Sequence, residues 1–215
     1  MTRNLIRPGL YAITDSHLLP GERLFDGVAA ALRGGAVMVQ YRDKSASTAA
    51  RLDQATRLQA MCREAKVPLI INDDAELAHA VGAAGVHLGQ DDTALAEARA
   101  LLGQQAIIGI TCHGELALAR KAAEAGADYL AFGRFFPSTT KPGERYADRT
   151  LLPQAREFRL PLVAIGGITT ENGPQLVQAG ADCLAVIGDL FGASDIEQQA
   201  RRFNDLIQQH RPAGH

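Results

Sequence analysis

The sequence predicts an α/β protein folded as a single (β/α)8 barrel, or TIM barrel, over residues 1–215. Three observations support this prediction. Strand-like and helix-like segments alternate along the chain, a glycine-containing repeat precedes several strands, and polar clusters follow strands where they end. A chain of 215 residues, 47% of them hydrophobic, also suits one domain with a substantial core.

Eight short runs rich in apolar and β-branched residues have the length and composition of strands. They cover residues 10–14, 37–41, 68–72, 86–88, 106–110, 129–132, 162–165 and 184–187. Segments with helical spacing lie between them, among them residues 24–32, 48–65, 95–102, 115–125 and 175–179. Because strands joined by helical crossovers run parallel, this alternation predicts a parallel sheet covered by helices.

The glycine-containing repeat favours closure of that sheet into a barrel. It stands before four strands, at residues 33–36, 84–86, 125–128 and 179–182, with a spacing of roughly 40 to 55 residues. We expect each glycine to end a helix in the left-handed conformation. A doubly wound sheet is the alternative, but the turn at residues 14–17 reads TDSH and lacks the GxGxxG pattern typical of that fold.

Charge and cysteine content narrow the classes of partner. The net charge of −2 and the pI near 6.3 create no global field that would favour nucleic acid or an anionic membrane. The apolar stretches are too short for a membrane span, and the amino terminus lacks the apolar core of a signal peptide. Three cysteines without a CxxC pair argue against disulfides and zinc. We therefore expect a cytoplasmic protein with small-molecule partners; the sequence does not give its oligomeric state.

The second strand ends in a cluster suited to a diphosphate. Alternation places the side chains of Gln40, Arg42 and Lys44 on one side of an extended segment, and those of Tyr41 and Asp43 on the other. Arginine offers a planar fork to phosphate oxygens, and lysine offers a mobile charge. The alternative is an edge strand that ends in a solvated, charged tail.

Two carboxylates at strand ends suggest a magnesium site. Asp73 follows the third strand and Asp92 follows the fourth, so the two could share one Mg²⁺ with water and substrate oxygens. Capping of the following helices is the alternative, and we prefer it for Asp74 and Asp91. Asn72 could likewise cap a helix or contact the substrate.

The fifth strand is followed by Thr111, whose hydroxyl can donate to a phosphate oxygen. Cys112 comes next, and we interpret it as a small buried hydrophobe because the sequence establishes no base beside it. His87 and His113 have no metal-ligand spacing, so structural roles are favoured for both.

A second anion site is predicted after the seventh and eighth strands. Gly167 and Gly188 lie there, the latter next to Ile187, where barrels commonly hold a phosphate on backbone N–H groups. A tight turn is the alternative.

The sixth crossover, residues 136–150, is long and polar, as in barrel lids, and contains Lys141.

Two anion sites in one mouth indicate two anionic substrates, and hence group transfer with diphosphate as the leaving group. Mg²⁺ together with Arg42, Lys44 and Lys141 would stabilise the charge that builds on the diphosphate. Such a reaction requires no protein nucleophile.

Several ordered motifs resemble the thiamine phosphate synthase family. They span nearly the whole chain, at residues 11–15 (YAITD), 40–44 (QYRDK), 71–74 (INDD), 85–92 (GVHLGQDD), 135–141 (FFPSTTK) and 164–168 (AIGGI). The resemblance implies a (β/α)8 barrel that joins 4-amino-2-methyl-5-hydroxymethylpyrimidine diphosphate to thiazole phosphate. The implied products are thiamine phosphate and diphosphate.

The resemblance also implies residue roles. Asp73 and Asp92 would hold Mg²⁺, and diphosphate would leave first, so that the thiazole nitrogen captures a pyrimidinylmethyl cation. The implied catalytic residues are Arg42, Lys44, Thr111 and Lys141. The predicted substrate-binding set is Gln40, Tyr41, Arg42, Asp43, Lys44, Asn72, Thr111, Ser138, Thr139, Thr140, Lys141, Gly167, Ile187 and Gly188.

Three positions depart from the commonest family pattern. Thr111 replaces a serine and Ser138 replaces a threonine, so both keep a hydroxyl, whereas Gly188 replaces a serine and keeps only its backbone N–H. Two alternatives stay open: a thiazole tautomerase-like barrel, and a noncatalytic protein that binds thiamine phosphate. The intact diphosphate and metal residues disfavour the first.

The predicted site can be tested at two charged residues. We expect Lys44→Ala and Asp92→Ala each to lower turnover by at least about 10²-fold, the scale for losing one charge-stabilising group. Steady-state kinetics measure this, and wild-type-like rates in both variants would contradict the site assignment.

Overall fold

Eight parallel strands close into a barrel in sequence order, each paired with its neighbours and β8 paired with β1. The structure is a computed structural model that describes residues 6–90, 93–137 and 146–212. The strands are β1 Gly9–Ile13, β2 Met38–Tyr41, β3 Leu69–Asn72, β4 Gly85–Leu88, β5 Ile107–His113, β6 Tyr129–Gly133, β7 Leu162–Ile165 and β8 Cys183–Val186. The predicted fold class is therefore confirmed, and every predicted strand is present within a few residues of its predicted bounds.

Helices cover the outside of the barrel. The α-helices in the described part of the chain are α1 Arg23–Arg33, α2 Thr48–Glu64, α3 Ala75–Val81, α4 Leu95–Leu102, α5 Leu116–Glu124, α6 Leu151–Ala155, α7 Gly173–Gln178, α8 Gly188–Phe191 and α9 Ile196–His210, and a 3₁₀ helix at Arg156–Phe158 continues α6. Helices α3, α6, α8 and α9 were not among the segments that the sequence analysis named. No helix in this part of the chain is long and apolar enough to cross a membrane.

Alternation along the strands creates two apolar layers. On β1, Tyr11 and Ile13 point into the barrel, whereas Leu10 and Ala12 face the surrounding helices. The inner layer includes two tyrosines, and Gly109 makes room for one of them. A Cβ at Gly109 would lie 1.9 Å from the ring of Tyr129. The inside of the barrel is therefore packed and partly polar.

Two of the sequence repeats build matching ion pairs at the end of the barrel opposite the strands' carboxyl ends. Asp128, just before β6, accepts from the N–H of Ile108 at 2.8 Å and pairs with Arg99 at 2.6 Å. Asp182, just before β8, accepts from the N–H of Leu162 at 2.8 Å and pairs with Arg156 at 3.0 Å. The repeat thus ties each strand start to the helix that precedes it.

Two repeat glycines differ from the expectation. Gly34 ends α1 with φ of −74°, in the right-handed conformation, and the neighbouring Gly35 has φ of 91°. Gly85 lies within β4 and does not end a helix; Gly82 ends α3 in the left-handed conformation, with φ of 63°. A Cβ at Gly85 would lie 1.8 Å from the carbonyl oxygen of Ile107. Close approach of β4 to β5 therefore explains this glycine.

Helix α9 completes the layer of helices around the barrel, where it packs against α1, α7 and β1. The side-chain oxygen of Asn204 accepts from the N–H of Leu10 at 3.0 Å, and its amide nitrogen donates to the carbonyl of Gly34 at 3.0 Å. One side chain therefore joins α9, the start of β1 and the end of α1.

The partly buried ion pair at Asp128 should contribute to stability and leave the chemistry unchanged. We expect Asp128→Ala to lower the free energy of unfolding by about 2 kcal/mol, because the N–H of Ile108 loses its acceptor and Arg99 keeps only its two backbone carbonyl partners. The exposed pair between Glu157 and Arg120 provides the control, and Glu157→Ala should cost less than about 1 kcal/mol. Urea unfolding measures both variants; equal losses would refute this account of the repeat.

Candidate active site

A cavity of about 840 Å³ opens where the carboxyl ends of the strands meet. All eight strands or the loops that follow them contribute to its lining. The predicted site residues that line it are Gln40, Arg42, Lys44, Asn72, Asp73, Thr111 and Ile187. Gly166, the neighbour of the predicted Gly167, lines it as well. In the (β/α)8 architecture this end of the barrel carries the active site.

The segment after β2 places an amide and two cations in this cavity. Gln40, Arg42 and Lys44 all line it, as the alternation in the sequence predicted, although β2 itself ends at Tyr41. Gln40 is buried and donates to the Tyr11 oxygen at 2.7 Å. The predicted diphosphate cluster therefore exists as a group in space.

Arg42 is held in position by the loop that follows β1. Its backbone N–H donates to the Thr14 hydroxyl at 2.9 Å, and a guanidinium nitrogen lies 3.9 Å from a carboxylate oxygen of Asp15. That carboxylate also accepts from the N–H of His17 at 3.0 Å. The positive group is therefore fixed at the cavity before any substrate binds, which lowers the cost of binding an anion.

Tyr41 and Asp43 point away from this cavity and line a smaller one between β2 and the helices. The Tyr41 hydroxyl donates to Gln54 on α2 at 2.6 Å, and burial raises the pKa of Tyr41 to about 12. Burial acts to raise the pKa of Asp43, but hydrogen bonds from Ser45 and Ala46 outweigh it and lower that pKa. Both side chains make contacts within the loop after β2 and with α2, and their predicted role in substrate binding stays a prediction.

Asp73 stands at the mouth directly after β3, in the left-handed conformation with φ of 66°. Its carboxylate lies 3.1 Å from the Lys44 ammonium, and 30% of the Asp73 side chain is exposed. The neighbouring Asp74 caps α3 by accepting from the N–H of Leu77 at 2.8 Å, as preferred from the sequence. The two adjacent carboxylates thus have different roles, one at the mouth and one at a helix.

The oxygen donors at this end suit a hard cation. The Asp73 carboxylate and the amides of Asn72 and Gln90 line the same cavity, and carboxylate and amide oxygens are ligands that Mg²⁺ accepts. Among the described residues there is no group of three or more histidines, cysteines and acidic residues that could hold a metal ion. The predicted second ligand, Asp92, lies outside the described residues, as does Asp91.

β5 extends further than predicted and includes Thr111, whose hydroxyl lies 2.8 Å from Nε2 of His87. The pairing of β5 with β6 is irregular between Thr111 and His113. Cys112 is fully buried and donates to the carbonyl of Ile110 at 3.5 Å. Its interpretation as a buried hydrophobe is confirmed.

The loops after β7 and β8 contribute backbone to the mouth. Gly167 has φ of 61°, and a Cβ there would lie 2.1 Å from the carbonyl of Pro137, so only glycine fits. Gly188 begins α8, and a Cβ there would meet open space. The predicted residues Ser138, Thr139, Thr140 and Lys141 lie outside the described residues.

Sequence reasoning missed several residues of the mouth. Tyr11 lines it and His87 does too, and both belong to a chain of hydrogen bonds with Tyr129. Arg134 adds a cation, and its guanidinium lies 5.3 Å from the centre of the Tyr146 ring. Tyr11 and His87 are polar residues within strands and not at strand ends. Strand alternation places both on the side that faces into the barrel, and this could have identified them from the sequence.

The protein is thus a (β/α)8 barrel that brings two cations and a carboxylate together at the carboxyl ends of its strands. The family model for thiamine monophosphate synthase matches residues 10–190. The chain belongs to this family, and the resemblance seen in its motifs is confirmed. It is accordingly an enzyme, a transferase of thiamine biosynthesis.

Individual relatives agree with the family match. The thiamine-phosphate synthase of Marinobacter nauticus is 57% identical over 212 residues, covering 98% of this chain and 96% of the relative. That of Nitrosococcus oceani is 53% identical over 206 residues, covering 95% and 93%. The solved thiamine phosphate pyrophosphorylase of Pyrococcus furiosus superposes with a TM-score of 0.85 at 32% identity, covering 96% of this chain and 98% of that one.

The buried thiols should be chemically silent. Burial raises the pKa of Cys62, Cys112 and Cys183 to about 12 each, so the reactive thiolate is scarce at neutral pH. We expect a thiol reagent to modify none of them in the native protein and all three after denaturation. Cys112→Ser should leave turnover nearly unchanged; loss of most activity in a folded variant would show that the thiol takes part in the chemistry.

Proposed function

We propose that this chain, as one barrel domain over residues 1–215, couples 4-amino-2-methyl-5-hydroxymethylpyrimidine diphosphate with thiazole phosphate. The products are thiamine monophosphate and diphosphate. One observation carries the proposal: Gln40, Arg42 and Lys44 converge on a mouth that also contains Asp73. An amide, two cations and a hard carboxylate in one place are what a diphosphate with its Mg²⁺ requires.

The mechanism is dissociative, with diphosphate leaving before the new bond forms. Negative charge increases on the bridging oxygen as it departs, and Arg42 and Lys44 stabilise that charge from the β2 side of the mouth. Lys141 adds a third cation from the sixth crossover, and Thr111 donates a hydrogen bond from β5. The thiazole nitrogen supplies the electron pair for the new bond, so no side chain has to act as a nucleophile.

Asp73 and Asp92 would hold Mg²⁺, and the Asp73 carboxylate already stands at the mouth. When bound, Mg²⁺ neutralises charge on the diphosphate oxygens. The Lys44 side chain is 64% exposed and its ammonium pairs with Asp73 at 3.1 Å, so water screens this pair and it can rearrange at little cost. Lys44 is therefore available to the diphosphate when Asp73 binds the metal ion.

The thiazole phosphate binds across the mouth from Arg42, on the backbone after β7 and β8. Gly167, Ile187 and Gly188 form this second site, and the open space at Gly188 lets a phosphate approach the backbone N–H groups. The remaining predicted contacts, at Ser138, Thr139 and Thr140, come from the sixth crossover. We further propose a cytoplasmic location, where both substrates are small soluble anions.

The test is a coupled measurement of both products. The purified protein is mixed with the two substrates, with and without Mg²⁺, and diphosphate and thiamine monophosphate are quantified together. We expect them to appear in equal amounts and only with Mg²⁺, because the charge on the diphosphate has to be neutralised before it can leave.

A matched pair of variants sharpens this experiment. Lys44→Ala removes a cation from the mouth, whereas Lys121→Ala removes an exposed one from α5, so only the first should lower the rate. Isomerisation of the thiazole phosphate without coupling would reassign the chain to tautomerase chemistry. Tight binding of thiamine monophosphate without turnover would reassign it to a binding protein.

A further inference from the structure

A buried chain of hydrogen bonds crosses the inside of the barrel from β2 to β5. Gln40 Nε2 lies 2.7 Å from the Tyr11 oxygen, which lies 2.9 Å from the Tyr129 oxygen. The Tyr129 oxygen lies 2.8 Å from His87 Nδ1, and His87 Nε2 lies 2.8 Å from Thr111 Oγ1. Its two ends, Gln40 and Thr111, both line the mouth. The chain thus connects two groups on different sides of the cavity.

The two tyrosines in the middle stay neutral. Tyr11 is 1% exposed and Tyr129 is 0% exposed, and burial raises the pKa of both phenols. A neutral phenol has one hydrogen to donate and an oxygen that accepts. Each tyrosine can therefore donate a hydrogen bond to only one of its two neighbours in the chain and must accept one from the other.

Gln40 sets that direction. Its amide nitrogen can only donate, so Tyr11 accepts from Gln40 and has to give its own hydrogen to Tyr129. Tyr129 then gives its hydrogen to His87 Nδ1. In the reverse order the Tyr11 hydrogen would have no acceptor among the described residues, and a buried donor without an acceptor is costly.

We propose that this chain fixes His87 as the Nε2–H tautomer, so that Thr111 accepts from the imidazole and turns its own hydrogen toward the mouth. Tyr11, Tyr129 and His87 are positioning residues for the Thr111 hydroxyl. The inference rests on the proposed function, in which Thr111 faces diphosphate oxygens. Ionised phosphate oxygens only accept hydrogen bonds, so a hydroxyl serves them only if its hydrogen is free to point at them.

The tautomer of His87 can be measured directly. The protein is labelled with ¹⁵N-histidine, and its six histidines are observed by two-bond ¹H–¹⁵N correlation at mildly alkaline pH, where an ordinary imidazole is neutral. Loss of one spin system in His87→Gln assigns the signal. We expect His87 to be predominantly Nε2–H; a predominant Nδ1–H form, or an even mixture, would overturn the proposal.

A distant substitution should reverse the tautomer. In Gln40→Glu a carboxyl group replaces the amide. Burial raises the pKa of this group, but Arg42 and Lys44 on the same side oppose that effect, and the mildly alkaline pH of the measurement keeps the carboxylate ionised. Tyr11 then donates to the introduced carboxylate, every later bond reverses, and His87 becomes Nδ1–H. Three hydrogen bonds separate Gln40 from His87 along the chain, so an unchanged tautomer in this variant would refute the chain.

The double variant Gln40→Glu with Tyr11→Phe distinguishes two ways in which the introduced charge could change the His87 tautomer: through the chain of hydrogen bonds, or directly through space. Removal of the Tyr11 hydroxyl leaves the introduced negative charge in place but breaks the chain, so Tyr129 again donates to His87 and the Nε2–H form returns. If the double variant keeps the Nδ1–H form of Gln40→Glu, the charge acts through space and the relay is wrong. Tyr11→Phe alone should keep Nε2–H.

This readout is independent of turnover. If His87 shows the Nε2–H form and its reversal but the protein makes no thiamine monophosphate, the hydrogen-bond chain is supported and the proposed function is wrong. If the protein couples the two substrates but His87 lacks the expected tautomer, the function is supported and this inference is wrong. Circular dichroism of each variant shows whether the barrel is folded when the spectra are recorded.

Discussion

Closure of eight parallel strands into one ring is the constraint on which the rest of the molecule depends. Because all strands run in the same direction, their carboxyl ends form one rim, and residues far apart in the chain become neighbours there. Lys44 and Asp73 follow different strands and lie 3.1 Å apart. The opposite rim carries the ion pairs of Asp128 and Asp182, which tie strand starts to helices. The ion pairs that stabilise the fold and the residues of the candidate active site therefore lie at opposite ends of the barrel.

The two cations at the mouth differ in how far their side chains are exposed and how freely they can move. Arg42 is held by Thr14 and Asp15 in a site where only 17% of its side chain is exposed, so its charge is directed and little mobile. Lys44 is 64% exposed and can exchange partners. A fixed guanidinium beside a mobile ammonium suits a leaving group whose charge and position both change during the reaction.

Much of the fold and part of the site could be predicted from local sequence. Strand alternation separated Gln40, Arg42 and Lys44 from Tyr41 and Asp43, and the first three line the mouth, whereas Tyr41 and Asp43 line a smaller cavity that Arg42 also reaches. The substrate-binding role of Tyr41 and Asp43 stays a prediction. The family motif had placed all five residues in one group, because a motif records sequence neighbours and not the directions of their side chains.

The barrel, the residues at the strand ends and the family can be inferred from the sequence alone, because period-two alternation and strand-end motifs are local properties of the chain. The contacts inside the mouth depend on how the strands come together. Tyr11 and Tyr129 are 118 positions apart and their oxygens lie 2.9 Å apart. Such a contact depends on the stagger of strands around the closed ring and on the space that Gly109 leaves. No local pattern contains either quantity.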